Sequence, residues 1–471
     1  MYGRLSRIHF IGVGGAGMSG IAEVLLNMGY QVSGSDLRGA PGEAGSEAHD
    51  RLIQLGGRIV IGHAASNVEG AQVVVYSAAI PPDNPELAAA RELGLPVIGR
   101  AEMLAELMRM KFGVAVAGAH GKTTTTSMVA AVLARGGLDP TIVVGGRLHA
   151  LGSNARLGLG QFLVAEADES DGSFLRLSPA VAVVTNIDRE HLDHYQTFDA
   201  VLQAFVYFAN RVPFYGVAVL CGDDPEVRRI VPKVTRRTLF YGTRPEADVR
   251  ATHIELLPHG ARFRVEAFGR DAGEIEIHSP GRHNVLNALA AAAVGLEIQV
   301  GFGHIAESLG AFKGVSRRFE TRGEAGGVRV VDDYGHHPTE IRATLAAARG
   351  LGKRVLVVFQ PHRFSRTALL QEEFGTAWSD ADRVWVLDIY PAGEVPIPGI
   401  GARTVVESAR AAGAAHVAYA PSAAEAASAA AAEAQPGDVV LTLGAGDVWK
   451  LGDEILERLR TATGVTGGRG R

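Results

Sequence analysis

The chain has a single cysteine, Cys221, in 471 residues. That excludes an intramolecular disulfide framework and any zinc or iron–sulfur centre built on several thiolates. Cys221 closes an apolar run, so a buried small hydrophobe is expected there rather than a reactive thiol. Long hydrophobic runs are missing too. No window approaches the roughly 20 apolar residues needed to span a bilayer. Only Arg4 and Arg7 precede the first apolar stretch, IHFIGVGGAGMSG, which glycine interrupts and no A-x-A-type site follows. A cytoplasmic location is the expectation. Nor is there an excess of positive charge: 46 Lys+Arg against 51 Asp+Glu give a net charge of -5. This argues against a nucleic-acid groove or a patch for anionic membranes. No repeat at a fixed period is found.

Glycine is what the chain has in excess, with 59 residues, nearly twice the average share of about 7%. A hydrophobic share of 47% and a charged share of 21% are those of an ordinary soluble globular protein. At ~150 residues per domain the length predicts about three domains.

Three blocks follow one another. From about Arg7 to Arg100, RIHFIGV, YQVSGSD and VVVYSAAI (73–80) read as strands, with helical spacing over Met18–Met28 and a turn at PPDNPE. The second block opens near Lys111 with the strand GVAVAG, the loop AHGKTTTT and the helix SMVAAVLARGG. It continues with buried-strand runs FLVAEAD, AVAVVTN and GVAVLCG. Between about 248 and 278 the alternation in ARFRVEAF and GEIEIHS marks half-exposed antiparallel strands, and GRHNVLNALAAAAVGLEI returns to a helix. The third block, from about Lys313, has the strands VRVVDDYG, KRVLVVFQ, DRVWVLDIY, AHVAYA and DVVLTLGAG between helices. SAAEAASAAAAEA reads as a capped surface helix because alanine is the best helix former. TATGVTGGRGR has no periodicity and reads as a tail. The fold class is α/β, in three consecutive α/β units.

Gly12-x-Gly14-x-x-Gly17 lies between the first strand and the first helix, where backbone amides and a helix N-terminus can approach a pyrophosphate. Asp36 ends the next strand, where an acid that contacts ribose or base is expected. In a chain so rich in glycine the bare pattern arises about once by chance, so its strand–turn–helix context carries the reading. The pattern does not separate a nicotinamide dinucleotide from a nucleotide sugar. Gly118-Ala119-His120-Gly121-Lys122-Thr123 is the stronger signal. Amides cradle an anion, Lys122 reaches the β/γ-phosphates and Thr123 offers a hydroxyl to Mg²⁺. Val116 stands where the general phosphate-loop pattern has its first glycine. Four threonines running into a helix are a poor choice for helix stability, which favours a functional reading.

Glu166 ends FLVAEAD, with Asp168, Glu169 and Asp171 behind it, and His191 follows AVAVVTN. In a parallel sheet the carboxyl ends of all strands share one edge, so Glu166, Asn186 and His191 belong near Lys122. A solvated acidic loop is the competing reading for Asp168 to Asp171. In the third block, Arg317-Arg318, the segment Asp332-Asp333-Tyr334-Gly335-His336-His337-Pro338, and the pair Arg363 and Arg366 suit small anionic ligands. An exposed helix start is the alternative for the last pair. A zinc site on the adjacent histidines lacks further ligands.

Taken together, IHFIGVGGAGMSGIAEVL, AGAHGKTTTTSMVA, EADESDGSF, TNIDREHLDHY, GRHNVLNALAA, RRFE, DDYGHHPTEI and PHRFSRT resemble the Mur ligase family over nearly the whole chain, and within it the branch that adds L-alanine. The resemblance implies a Rossmann-like UDP-sugar domain (1–104), a central P-loop ATPase domain (105–311) and a Rossmann-like C-terminal domain (312–471). It implies that Gly14, Gly15 and Gly17 hold the UDP pyrophosphate, with Asp36, His63 and Ser77 near the nucleotide sugar. Gly118, His120, Gly121, Lys122, Thr123 and Thr124 would bind ATP, with His283, Asn284 and Asn287 on the adenine side and Arg318 and Asp333 reaching phosphates and ribose. Thr123, Glu166 and His191 would be ligands of Mg²⁺ or Mn²⁺. Tyr334, His336, His337, Arg363 and Arg366 would surround the muramate and the amino acid. Lys122, His191, Arg318 and His337 are the catalytic candidates, the two histidines for proton handling.

The implied reaction is ATP-dependent ligation of L-alanine to UDP-N-acetylmuramate through an acyl phosphate, in peptidoglycan precursor synthesis, by a monomer or weak homodimer. One departure stands out. Several family members carry a carbamoylated lysine after the histidine loop, yet no lysine occurs here between Thr123 and Pro232. A second metal, if held, would rest on phosphates, acyl oxygen and His191. The alternative within the family is a recycling ligase that adds a tripeptide to the same sugar. An NAD(P)-dependent oxidoreductase would leave the second and third blocks without a task, and the density of polar groups at strand ends weighs against a non-catalytic nucleotide-binding regulator.

Overall fold

Apolar runs bounded by glycine or polar turns become strands, and the stretches of helical spacing between them return the chain to the same end of a sheet. The computed structural model describes residues 5–37, 47–77, 79–148 and 153–462. The tail expected from TATGVTGGRGR lies outside them beyond residue 462.

Three sheets form. The first has five parallel strands in the order Arg58–Ile61, Gln31–Asp36, Arg7–Ile11, Val73–Tyr76, Val97–Gly99. The second has ten. Its parallel centre places Phe112–Ala117 between Val181–Val184 and Phe162–Glu166. One edge carries Val249–Leu257, Gly260–Ala267 and Arg270–Ile277, the segment whose alternation predicts half-exposed strands. Phe268 (φ 51) and Gly269 (φ 75) both lie in the left-handed region, as a two-residue hairpin turn requires. The third sheet runs Glu320–Ala325, Val328–Asp333, Val439–Leu443, Val355–Phe359, Arg383–Val386, Val417–Tyr419, with only its first pair antiparallel.

Contacts divide the chain into two compact units, one of Met1–His253, Phe263–Ile275 and Leu286–Lys313, the other of Ile254–Arg262, Glu276–Val285 and Gly314–Arg471. Within the first, the helix Ala16–Asn27 packs against Thr141–Leu148 and Ser153–Arg156 of the second sheet. One apolar cluster runs from Ile8, Phe10 and Met18 to Phe174, Phe205 and Phe208. Within the second unit, period-two alternation sorts a buried strand between two cores. Val355, Val357 and Phe359 face Ile341, Phe374 and Trp378, whereas Leu356 and Val358 face Ala427, Ile455 and Leu459.

Several sequence expectations shift. The strand expected over 73–80 spans only Val73–Tyr76, because its neighbour Val97–Gly99 is three residues long and the last pairing is Tyr76 with Gly99. The turn at PPDNPE is also a helix start: Asn84 Oδ1 accepts from Glu86 N (2.9 Å) and Leu87 N (3.3 Å), with Pro85 opening the helix Pro85–Glu92. The strands Glu320–Ala325 and Ser153–Arg156 carry no apolar pattern, and Thr141–Leu148 has only the short run Ile142, Val143 and Val144, so all three are seen only in the folded chain. Alanine-rich Ala423–Glu433 is a helix, capped by Ser422 Oγ accepting from Glu425 N at 3.2 Å. Cys221 is buried at the end of its strand.

Candidate functional site

The first glycine loop opens at Gly12, whose φ of 79 favours glycine. The helix Ala16–Asn27 has Gly15 as its N-cap and no side-chain cap, which leaves its first-turn amides to an external acceptor. Asp36 does not extend away from the loop. Its Oδ2 accepts the Gly14 amide at 2.8 Å, and a Cβ on Gly14 would lie 2.9 Å from that oxygen and 2.6 Å from His49 Nε2. Ser77 continues from the neighbouring strand, its amide donating to Ile11 O at 3.1 Å. His63 joins this edge through Ser35 Oγ (3.0 Å) and Glu86 Oε2 (3.1 Å). Gly14, Gly15, Gly17, Asp36, His63 and Ser77 therefore gather at the carboxyl edge of the first sheet.

Glu86 is a residue that motif reading missed. Its side chain is fully buried and accepts from Ser35 Oγ (2.6 Å), His63 and Asn67, with His9 Nε2 3.8 Å away. Burial works against its charge, but the nearby His9 ring and the hydrogen bonds from Ser35 and Asn67 win and bring the carboxyl down to about 2.

In the second sheet the parallel register aligns the carboxyl ends as anticipated: Ala117 pairs with Val184 and Val116 with Glu166. Val116 is wholly buried in its strand. The turn itself begins at Gly118, so no glycine is needed at Val116. Gly118 (φ 137) and Gly121 (φ 79) are required. A Cβ would come within 2.0 Å of Thr185 Oγ1 at the first and 2.6 Å of Asn287 Oδ1 at the second. The strand-end segment after Val184 clamps the loop. His120 N donates to Asn186 Oδ1 (2.8 Å), His120 O accepts from Thr185 Oγ1 (2.7 Å) and Asn186 Nδ2 (2.9 Å), and His120 Nε2 lies 2.9 Å from Asp188 Oδ2.

Lys122 opens the helix Lys122–Arg135, whose N-cap Gly121 supplies no side chain. Its ammonium donates to Gly118 O (2.7 Å), Ala119 O (3.2 Å) and Glu169 Oε1 (2.9 Å). Burial disfavours that charge, yet Glu169, Asp168 and Glu166 outweigh it and hold Lys122 protonated well above its ordinary range. Thr123 Oγ1 donates to Glu166 Oε2 at 2.9 Å. Thr124 is buried in the same turn, and Asn287 Oδ1 accepts from Thr125 Oγ1 at 3.1 Å. His191 adopts φ 57, and its Nε2 lies 3.6 Å from Glu169 Oε1 and 3.7 Å from Glu190 Oε2. Strained backbone of this kind persists only where the surroundings enforce it. Glu169, Glu190 and His191 offer ligand atoms all within 4.8 Å of one another. Glu169 Oε2 is buried with no hydrogen-bond donor among the described residues. Such an oxygen-rich set suits Mg²⁺. The solvated-loop reading holds for exposed Asp171 and fails for buried Glu169.

In the second unit Arg317 and Arg318 flank the Tyr334 ring, their guanidinium carbons 5.0 and 5.1 Å from its centroid. Arg317 is spent on structure, donating to Asp332 Oδ2 (3.1 Å) and Gly444 O (2.6 Å). Arg318 lies 3.5 Å from Glu340. Asp333 accepts from Phe319 N and Gly335 N, each at 2.8 Å, and burial raises its carboxyl to about 6 against the pull of Arg318. His337 caps the helix Pro338–Arg349, Nδ1 accepting from Thr339 N at 3.3 Å. His336 faces His362 (5.5 Å between rings), which stacks on Tyr390 and lies 3.3 Å from Arg366. Burial, His336 and Arg366 bring His362 down to about 3. Arg363 has φ 70, and its buried Nε meets no acceptor among the described residues. His283 and Asn284 occupy the first turn of Arg282–Glu297, where Asn284 Nδ2 donates to Pro280 O at 2.8 Å. Burial and Arg318 lower His283 to about 4.

The arrangement can hold two phosphate-bearing ligands and a divalent cation. Three family models match in succession: "Mur ligase family, catalytic domain" over residues 7–112, "Mur ligase middle domain" over 116–295 and "Mur ligase, glutamate ligase domain" over 317–446. A UDP-N-acetylmuramate–L-alanine ligase of Geobacter sp. (strain M21) is 56% identical over 464 residues, covering 98% of this chain and 99% of that protein. A protein of the same name from Geobacter sulfurreducens is 54% identical over 465 residues, covering 98% and 99%. Among solved structures, the UDP-N-acetylmuramate–alanine ligase of Thermotoga maritima superposes with a TM-score of 0.79 at 28% identity, covering 97% of this chain and 99% of that one. A murein peptide ligase from Psychrobacter arcticus shares the fold at a TM-score of 0.70 and 22% identity, covering 96% and 98%.

Proposed function

The chain belongs to the Mur ligase family, and on that premise we propose how its own residues join L-alanine to UDP-N-acetylmuramate at the expense of ATP. The carrying observation is the pairing of two glycine loops at strand ends with near-full-length identity of 54–56% to ligases named for that reaction. We assign the three domains to 1–104, 105–311 and 312–471, with the three matched ranges in support. The consumption of ATP and a UDP-sugar supports a cytoplasmic location, and no helix among the described residues is long and apolar enough to cross a membrane.

A carboxylate resists attack by an amine because the oxygen that must leave is a poor leaving group. Transfer of the γ-phosphoryl breaks its bond to ADP and forms one to the muramoyl carboxylate oxygen. The L-alanine amine then adds to the acyl carbon, and collapse of the tetrahedral oxyanion expels phosphate and leaves the amide. The first step brings anions together, so charge placement dominates. Gly118 to Lys122 cradle the ATP phosphates, Lys122 by its fixed ammonium, and Arg318 adds a second cation. Thr123, Glu166 and His191 would hold Mg²⁺, with Glu169 beside them; the ion neutralises phosphate charge when bound. Gly14, Gly15 and Gly17 hold the UDP diphosphate, with Asp36, His63 and Ser77 around the nucleotide sugar. His283, Asn284 and Asn287 serve the adenine side and Asp333 the ribose. Tyr334, His336, His337, Arg363 and Arg366 orient muramate and alanine, the guanidinium groups matched to carboxylates. We assign the handling of the amine proton to His191 or His337, an imidazole being a group that can accept a proton near neutral pH.

The test is phosphate release by the purified chain with ATP, Mg²⁺ and UDP-N-acetylmuramate, run with alanine, glycine, serine or tripeptide. Release that needs alanine supports the reading. Release only with the tripeptide transfers the chain to the recycling activity.

A further inference from the structure

The first glycine loop has a cationic neighbour that no motif announces. Arg100 opens the helix Arg100–Arg109 and folds back over the loop at the start of the helix Ala16–Asn27. A Cβ on Gly17 would lie 2.9 Å from Arg100 Nη1 and 3.2 Å from its Cδ. The same side chain lines a cleft with Tyr76, Asp171, Ser173 and Arg176. Its only charged partner among the described residues is Asp168 Oδ2, at 3.6 Å. That is beyond hydrogen-bonding distance, so a group with five donors is left with a weak contact. Arg176, on the same cleft, has Glu102 at 2.8 Å instead. The lack of a side chain at Gly17 is what lets the guanidinium approach the loop backbone so closely.

We propose that Arg100 is an anchoring residue for the diphosphate of the ligand held on the Gly12–Gly17 loop. The inference rests on the UDP-sugar reading above. The loop amides supply directed donors without a full charge, and Arg100 supplies a charge whose planar fork matches two phosphate oxygens. Asp168 is then a competitor: it holds the guanidinium in the empty site and releases it to the diphosphate.

Calorimetric titration of the full chain with UDP-N-acetylmuramate, without ATP, tests this. R100A is expected to weaken binding about 10- to 100-fold, the range for lost charged hydrogen bonds, and to leave Mg·ADP binding within about twofold. R100K is expected to recover part of the loss. D168N is expected to bind at least as tightly as the unaltered chain. That opposite sign separates ligand anchoring from a structural salt bridge, since breaking a structural pair would harm both variants alike. Unfolding midpoints of all three confirm that folded protein is being titrated. Binding by R100A within twofold of the unaltered chain, or weakening of D168N to the same extent as R100A, overturns the proposal and leaves the ligase reading standing. No binding of UDP-N-acetylmuramate by the unaltered chain defeats that reading itself.

Discussion

Lys122 Nζ and Glu169 Oε1 are 2.9 Å apart, with 15% and 3% of their side chains exposed. The ammonium that opens the helix Lys122–Arg135 is thus held against a carboxyl group that burial raises to about 7. A surface pair of this kind would matter little; a nearly buried one fixes where the ammonium sits. Lys122→Ala is expected to lower ATP-dependent phosphate release about 100-fold or more. Calorimetry should show UDP-N-acetylmuramate binding within about threefold of the unaltered chain. Loss of both would argue against separate sites.

Gly121→Ala places a methyl group 2.6 Å from Asn287 Oδ1 at a backbone angle of φ 79. Strain of that order costs about 1–3 kcal/mol. Urea denaturation should show the loss, and affinity for ATP should fall more than affinity for the UDP-sugar. An alanine variant of unchanged stability and ATP affinity would contradict the geometry.

Glu86 sets a pH dependence. Its folded-state pKa, brought down to about 2, lies below the ordinary 4.5. The stabilisation it contributes is therefore complete above about pH 4.5 and is lost as pH falls towards 2. The difference corresponds to about 3 kcal/mol. Glu86→Gln should be less stable than the unaltered chain at pH 7, with the gap closing between about pH 4.5 and 2. Chemical denaturation curves at pH 7 and pH 3 provide the comparison. A gap that widens in acid would show the sign to be wrong.

Thr123 and Glu166 meet at 2.9 Å, so removing either carboxylate charge or hydroxyl should raise the Mg²⁺ concentration needed for half-maximal phosphate release by about tenfold or more. Chelation with EDTA should stop release in the unaltered chain, and added Mg²⁺ should restore it. Mn²⁺ titration by electron paramagnetic resonance gives a readout independent of turnover.

Much of the fold was legible because it is written in local pattern. Short apolar runs ending in glycine specify parallel strands, and both glycine loops sit where a strand passes into a helix. The alternation between 248 and 278 announces hairpins, and alanine with a serine cap announces the helix Ala423–Glu433. The limits of that reading are equally physical. Strand Val73–Tyr76 stops where its partner stops, which its own residues do not encode. Glu169 was one acid among several in EADESD until burial beside Lys122 set it apart from exposed Asp171.

The chain by itself determined the α/β class, the two glycine loops, and the polar residue types at the strand ends beside them, because each depends on a few consecutive residues. Tertiary structure decided which charges are paired. Glu86 reaches Ser35 across 51 positions, and Glu169 reaches Lys122 across 47. Arg100 comes to lie over Gly17 only when its helix is packed. A buried charge needs a partner and takes it from whichever strand end the fold brings alongside. That choice is made by the sheets rather than by any motif.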